Sequence, residues 1–268
     1  MKFGVMSNPN IEKATGIAKE VIDFLQDKAD IEIEESLAVK LGVEGKTLTE
    51  MNPDILITIG GDGTVLWALQ RSRVKLFCIN AGVLGFLTEV SPDLAVDSLD
   101  RILKGDYIID KRARLKTTLN GERLYDSINE AVIHTSHVAK MRHFKIMVDD
   151  NLLSNIRADG MIIATPTGST CYAMSVGSPL VDPRVNAFVI APIAPFKLSA
   201  RPYVVPIESE IRIKVLEPDR PCILVLDGQY ETQVQSEGEI TFTASENPAE
   251  LVRFSTDFYK RVSEKLVL

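Results

Sequence analysis

The stretch "DILITIGGDGTVLWALQR", residues 54–71, changes grammar at its centre. Ile55–Ile59 is an apolar, β-branched run that stops abruptly at Gly60-Gly61-Asp62-Gly63, and Thr64 then opens an apolar run with helix-forming residues. That pattern predicts a strand, a tight loop and a helix. Glycine permits positive φ and close approach of another molecule to the backbone, and a loop that opens a helix aims N–H groups at whatever lies before it. Gly60, Gly61, Gly63 and Thr64 are therefore candidates to cradle phosphate oxygens without a lysine, since the chain has no GxxxxGK[ST] and no GxGxxG pattern. Asp62 is an anion in such a loop and needs its own reason. It can take a proton from an attacking hydroxyl, or help bind the magnesium that travels with nucleotide phosphates. The plain structural alternative is a tight turn with Asp as the helix cap.

The 268 residues suffice for one large or two modest domains, and 45% hydrophobic with 25% charged residues is a globular composition. A net charge of −7 argues against a nucleic-acid or acidic-membrane binder, and leaves any anionic ligand to local features. No apolar run is long enough to span a bilayer, and the first residues do not read as a signal sequence. Cys78, Cys171 and Cys222 are scattered, without CxxC spacing, so a reduced, cytoplasmic protein is expected.

Strand-like and helix-like runs alternate through the first hundred residues: Lys2–Met6, then Ala14, Ile17, Ala18, Val21, Ile22 and Leu25 at helical spacing, then Ile55–Ile59, the helix from about Thr64, and Lys75–Asn80. This predicts an α/β domain over 1–100 with a Rossmann-like parallel sheet, whose ligands bind beyond the carboxyl ends of the strands. From about residue 101 to 250 the runs are strand-like, among them Leu115–Leu119, Ile128–Thr135, Phe144–Val148, Gly160–Ala164, Ala187–Ala191, Glu210–Leu216, Cys222–Leu226 and Glu239–Ala244. Turn signals at Asn120-Gly121, Asp149-Asp150-Asn151 and Glu217-Pro218-Asp219 separate them, giving a mainly β second domain. A C-terminal helix over about 255–268 is expected to pack back on the first domain. His134 and His137 would point to opposite faces of a strand, so no metal site is assigned. Lys111–Lys116 reads as a solvated basic stretch, and Trp67 as core.

Gly60-Gly61-Asp62-Gly63-Thr64 resembles the GGDGT signature shared by NAD kinases, diacylglycerol and sphingosine kinases and, in related form, phosphofructokinases. Three further stretches resemble NAD kinases in particular: Asn80-Ala-Gly-Val-Leu-Gly-Phe-Leu-Thr88; Asn129-Glu130 preceded by the basic Lys111–Leu115; and Arg157-Ala-Asp-Gly160 leading into Thr165-Pro-Thr-Gly-Ser-Thr-Cys-Tyr172. The likeness continues in order through Leu198–Pro202 and Asp227-Gly-Gln229. Cys171, Ser178 and Phe196 stand where Ala, Gly and His are usual in that family.

The resemblance implies transfer of a phosphoryl group from ATP, or from polyphosphate, to the 2′-hydroxyl of the adenosine ribose of NAD, with Mg2+ or another divalent cation accompanying ATP. It implies Asp62 as the base and Asn129 and Glu130 at the adenosine end of NAD. Thr170, Ser175 and the ring of Tyr172 are implied contacts to NAD, with the helix after Ser169 and Thr170 lending a dipole to the pyrophosphate. Arg157 and Asp159 are implied on the nicotinamide side, an Arg–Asp salt bridge being the competing structural reading. NAD is expected in the cleft between the domains, in a homodimer or homotetramer, with no nucleic-acid or membrane partner. A lipid kinase sharing GGDGT, or a non-catalytic dinucleotide-binding regulator, are the alternatives.

Overall fold

The computed structural model describes residues 1–267 except 83–84, 138–139, 217–220 and 236. Val83 and Leu84 of the second motif, and the Glu217-Pro218-Asp219 turn signal, lie outside the described residues. The chain divides into two compact units, Met1–Lys111 with Ala249–Leu268, and Arg112–Pro248.

The first unit begins with β1 (Lys2–Ser7), α1 (Glu12–Leu25), β2 (Asp30–Ile33), α2 (Glu35–Leu41), β3 (Ile55–Gly60), α3 (Asp62–Arg71), β4 (Lys75–Asn80), α4 (Ala95–Leu103) and β5 (Ile108–Arg112). β3 is buried at every position, which is why its sequence is an unbroken apolar run instead of an alternating one. The helices pack their apolar stripes against the sheet: Ala14, Ile17, Ala18, Val21 and Leu25 of α1 join Phe3, Val5, Ile55, Ile57 and Ile59 in one core.

The second unit holds β6 (Leu115–Leu119), β7 (Glu122–Arg123), β8 (Glu130–Thr135), β9 (Arg142–Val148), β10 (Asn151–Ala158), β11 (Gly160–Ala164), the short α5 (Tyr172–Ser175), β12 (Ala187–Ile193), β13 (Tyr203–Pro206), β14 (Ile211–Val215), β15 (Cys222–Leu226), β16 (Tyr230–Val234) and β17 (Glu239–Ala244). They form two six-stranded sheets, in the orders β10-β9-β14-β17-β6-β7 and β13-β12-β11-β8-β15-β16. Phe144, Ile146, Ile211 and Ile213 of one sheet pack against Ile133, Met161, Ile163 and Leu224 of the other. β11 and β12 are buried on both faces, because Ala173 and Val181 cover Ile162, Ala164, Val189 and Ala191 from outside. Tight turns join neighbouring strands: Asn120-Gly121, Asp149-Asp150 and Asp227-Gly228 all have positive φ at both residues, the backbone that Asn, Asp and Gly tolerate.

The chain then returns to the first unit with β18 (Ala249–Arg253), α6 (Phe258–Val262) and a π-helical turn, Ser263–Val267. The first sheet has the order β2-β1-β3-β4-β18-β5, with β1–β2, β1–β3, β3–β4 and β4–β18 parallel. Strand order reverses between β1 and β3, and in such sheets ligands bind beyond the carboxyl ends at that reversal. Ser7 and Gly60 end the two strands there.

Candidate functional site

In the first unit Gly61 caps α3, and Asp62 is the first helical residue. Asn8, just past β1, donates from Nδ2 to Thr64 Oγ1 at 3.0 Å, and its own N–H bonds Ile59 O at 2.8 Å. This ties the loop to the reversal point of the sheet. A Cβ on Gly60 would lie 2.2 Å from Thr64 Oγ1, so Gly60 is fixed by packing, whereas Gly61 and Gly63 face open space. Thr64 is buried and its hydroxyl is engaged by Asn8, so the open edge of the loop consists of Gly61, Asp62 and Gly63 at the start of α3.

The carboxylate of Asp62 is heavily engaged. Oδ2 accepts from the N–H of Phe86 at 2.7 Å, while Oδ1 accepts from Leu87 and Thr88 at 3.0 and 3.2 Å. With two lone pairs on each oxygen, Oδ2 keeps one for another donor. Gly85 is a steric requirement of this grip: a Cβ there would sit 1.8 Å from Asp62 Oδ1. Thr88 Oγ1 accepts from Gly85 N at 2.9 Å and closes the loop on itself. Trp67 is half-buried beneath the Arg71 guanidinium, 4.5 Å from its ring, and so sits at the edge of the core instead of inside it.

In the second unit Asn129 and Glu130 stand at the start of β8, both buried. The carboxylate of Asp227, in the turn between β15 and β16, accepts from the N–H groups of Ile128, Asn129 and Glu130 at 2.8, 2.8 and 3.1 Å. Thr165–Thr170 wraps the same backbone: Thr165 N–H bonds Asn129 O at 2.9 Å and Thr165 Oγ1 bonds Ile128 O at 2.5 Å. A Cβ on Gly168 would lie 2.0 Å from Asn129 O, so only glycine lets the loop close on that peptide. Asn129 Oδ1 and Glu130 Oε2 are buried without a hydrogen-bond partner among the described residues. Buried polar atoms left in that state in a native protein call for an explanation, and an incoming ligand is one.

Burial, reinforced by the like charge of Asp227, pushes the Glu130 carboxyl up to about 8. Asp227 is itself raised to about 6 by burial, against the lowering pull of its three amide donors. The amides favour the charge on Asp227, so near neutrality Glu130 holds the proton.

The other sequence-derived residues differ in burial and in what their side chains engage. Ser169 is fully buried and its hydroxyl is spent on Pro166 O and Val181 N, at 2.7 and 2.8 Å. Thr170 Oγ1 donates to Thr167 O at 3.1 Å. Tyr172 and Ser175 are exposed and bound α5, which at four residues is too short for the helix dipole expected there. Arg157 (β10) and Asp159 lie at the opposite end of β11 from Ala164 and Thr165, about 17 Å of strand away. Asp159 is the single residue between β10 and β11, where the chain passes from one sheet to the other, and its Oδ1 is buried without a partner among the described residues. The basic stretch from Lys111 is not uniformly solvated: Arg114 is 5% exposed, donating to Asp126 O at 2.9 Å, and Arg112 reaches Thr167 Oγ1 at 3.3 Å. His137 lies past the end of β8, so the alternation argument does not reach it; its Nδ1 lies 2.9 Å from Ser136 Oγ.

Residues 3–107 match the model of the ATP-NAD kinase N-terminal domain and residues 128–254 that of the ATP-NAD kinase C-terminal domain. The chain belongs to the ATP-NAD kinase family. Among its relatives, the NAD kinase of Methanothermobacter thermautotrophicus is 43% identical over 275 residues, covering 100% of this chain and 96% of that protein. The NAD kinase of Thermococcus kodakarensis is 42% identical, with 99% of each chain covered. Among solved structures, an NAD kinase from Archaeoglobus fulgidus in complex with ATP superposes with a TM-score of 0.77 at 31% identity, covering 97% of this chain and 96% of that one. Yeast NADH kinase complexed with NADH shares the fold, with a TM-score of 0.92 at 21% identity over 100% of this chain and 87% of that one.

Two ATP-NAD kinase residues escaped the sequence reading of roles. Asp227-Gly-Gln229 carried the family likeness but no role, since Asp-Gly is also a common turn pair, and the grip of Asp227 on residues 97 to 99 positions away has no local signal. Asn8 follows a short strand with nothing to mark it except its place at the sheet reversal.

Gly168→Ala is expected to destabilise the second unit by roughly 1–3 kcal/mol, since the backbone of Asn129 must retreat from the new methyl group. Thermal melts and NAD titration should register a lower midpoint together with weaker binding. A pH series tests Glu130. A carboxyl raised from 4.5 to about 8 on folding gives stability that is full below pH 4.5 and is lost as pH rises toward 8. Glu130→Gln removes this loss, so the variant should gain on the wild type between pH 5 and about 8.5 in thermal melts, and a parallel pair of stability curves would refute the assignment.

Proposed function

We propose that this chain transfers the γ-phosphoryl group of ATP to the 2′-hydroxyl of the adenosine ribose of NAD, giving NADP, with polyphosphate as an alternative donor. The observation that carries the reading is the GGDGT loop at the reversal of the parallel sheet, in a chain that matches ATP-NAD kinases from end to end. The relatives are named for phosphorylation of NAD, which favours a soluble dinucleotide over a lipid. A carboxylate retained among phosphate-facing amides favours chemistry over mere binding.

Phosphoryl transfer asks the protein mainly for positioning and charge neutralisation. The amides at the start of α3, beside Gly61 and Gly63, take phosphate oxygens. Asp62, through the lone pair left on Oδ2, accepts the proton of the attacking hydroxyl. Asn129 and Glu130 hold the adenosine end, with Asn129 Oδ1 and Glu130 Oε2 as the groups that ligand would satisfy. A neutral Glu130 both donates and accepts, which suits a nucleoside better than a second anion beside Asp227 would. Thr170, Tyr172 and Ser175 flank that end, and Arg157 with Asp159 take the nicotinamide side, along β11.

A divalent cation is part of this reading. No group of three or more His, Cys, Asp or Glu side chains able to hold a metal occurs among the described residues. One carboxylate per loop fits a cation such as Mg2+ that arrives on the nucleotide and is bound mostly by phosphate oxygens and water. Asp62 is the loop residue able to add an oxygen to it. When bound, the cation neutralises charge on the phosphoryl oxygens. A homodimer or homotetramer joined through the β unit fits its edge strand β13, where Tyr203 and Val204 are 42% and 51% exposed. Among the described residues no helix is long and apolar enough to cross a membrane; cytoplasmic residence is our expectation.

Purified protein given NAD, ATP and Mg2+ should yield NADP phosphorylated at the 2′-position, and excess chelator should abolish the product. Failure to form NADP from either ATP or polyphosphate would overturn the reading. Asp62→Asn should lower kcat by about 10²–10⁴-fold while the second unit still binds NAD. Because the new amide NH2 would face backbone N–H groups, the variant should also melt at a lower temperature. Near-normal turnover would remove Asp62 from the base role.

A further inference from the structure

The segment Gly85–Thr88 is held from both sides. Its N–H groups at Phe86, Leu87 and Thr88 are taken by Asp62. Its carbonyls are taken by three cations of the C-terminal segment. Arg253 donates to Phe86 O and Thr88 O, both at 3.2 Å. Arg261 donates to the same two oxygens at 3.4 and 2.7 Å. Lys265 donates to Gly85 O, with its ammonium 4.9 Å from the centre of the Phe86 ring. Glu89 supplies the counter-charge: Oε2 accepts from Arg253 at 2.7 Å and Arg261 at 2.5 Å, and Oε1 accepts from the N–H of Phe254 at 2.8 Å.

We propose that Arg261 and Lys265 are positioning residues for phosphoryl transfer, clamping the Gly85–Thr88 peptides so that the carboxylate of Asp62 presents Oδ2 to the reacting hydroxyl. The proposal rests on the base role assigned to Asp62 above. Gly85–Thr88 has no strand or helix ladder of its own, so its peptide planes are set by what grips them. Among the described residues, those three N–H groups are the hydrogen-bond donors to the Asp62 carboxylate, so its rotamer is set by those planes. Cations on the carbonyls of Gly85 and Phe86 also polarise the two peptides whose N–H groups, those of Phe86 and Leu87, donate to Asp62. Arg253 is 2% exposed and anchors the fold whatever the chemistry. Arg261 and Lys265 add a second set of contacts to carbonyls of the same segment from short helical turns outside the core. That duplication is superfluous for holding the loop and useful for fixing its orientation to the few tenths of an ångström that in-line transfer demands.

The test compares Arg261→Ala, Arg261→Lys, Lys265→Met and the double variant Arg261→Ala/Lys265→Met with the wild type, in the full chain, with NAD, ATP and Mg2+. The double variant should lose about ten-fold or more in kcat with KM for NAD changed by less than about two-fold, and Arg261→Lys should recover part of the loss. Lys265→Met keeps an apolar stem beside Phe86, so it tests the clamp if the Arg261 variants do not fold; a kcat about three-fold lower is expected of it. Adding Asp62→Asn to the double variant should cost nothing beyond Asp62→Asn alone, because the clamp acts through that carboxylate. Wild-type kcat in the double variant, or in Lys265→Met alone if the others fail to fold, overturns the clamp. So does a loss of kcat with a parallel loss of NAD affinity, or a loss that simply adds to that of Asp62→Asn. An active Asp62→Asn variant instead overturns the base role, so the two failures are told apart.

Discussion

A single carboxylate that collects three consecutive backbone amides organises the candidate site in each unit. Asp62 gathers Phe86, Leu87 and Thr88; Asp227 gathers Ile128, Asn129 and Glu130. Successive amides outside a ladder have no neighbouring strand or turn to serve them, and a buried N–H left unmet costs roughly 1–3 kcal/mol. One ionised side chain meets all three, and its charge makes each bond shorter and stronger than a neutral one. Glycine supplies the clearance in both places: Gly85 against Asp62, and Gly168 against the peptide of Asn129.

The same device has opposite electrical consequences in the two units. Asp62 is partly exposed, and the peptides it holds are backed by Arg253, Arg261 and Lys265, so negative charge there is met on the far side of the loop. Asp227 is buried beside Glu130, whose carboxyl keeps its proton through its own burial and, secondly, the like charge of Asp227. One unit thus offers a partly exposed carboxylate at the open start of α3. The other offers a neutral acid and an amide oxygen, both buried and lacking partners among the described residues. The first suits proton transfer next to an anionic donor, the second recognition of an uncharged nucleoside.

What the sequence disclosed was local. The strand, glycine loop and helix around Asp62 were legible because burial on both faces makes β3 an unbroken apolar run and glycines mark its end. The tight turns were legible because positive φ selects Asn, Asp and Gly. β10 and β16 were not foreseen: exposed Asn151, Leu152, Asn155 and Arg157 break the pattern of β10, and β16 is five residues with a polar Glu-Thr-Gln centre. β18 is short, and the C-terminal helix divides into a five-residue α-helix and a π-helical turn. Arg114 defied the reading of a solvated basic run, because a carbonyl from Asp126 lets the guanidinium be buried. Every grip that orients the site joins residues far apart in sequence: 24 to 26 positions for Asp62, and 172 to 180 for the Arg261 and Lys265 contacts. Propensity and periodicity have no access to such separations.

The sheet order explains how residues so distant come to meet. β4 ends at Asn80, shortly before Gly85–Thr88, and the chain returns from the second unit to place β18 parallel beside β4, with Leu251 opposite Leu76. Parallel pairing carries β18 in the same direction as β4, so its last residue, Arg253, comes level with Cys78, whose carbonyl accepts from the N–H of Glu89 at 2.7 Å. Its guanidinium therefore meets Thr88 O and Glu89 as a consequence of register alone. Phe254 N–H, one residue on, takes the other oxygen of Glu89, and the helical turns that follow bring Arg261 and Lys265 over the same peptides. The loop facing Asp62 can reach this arrangement only when the last strand of the chain has been added to a sheet begun by the first.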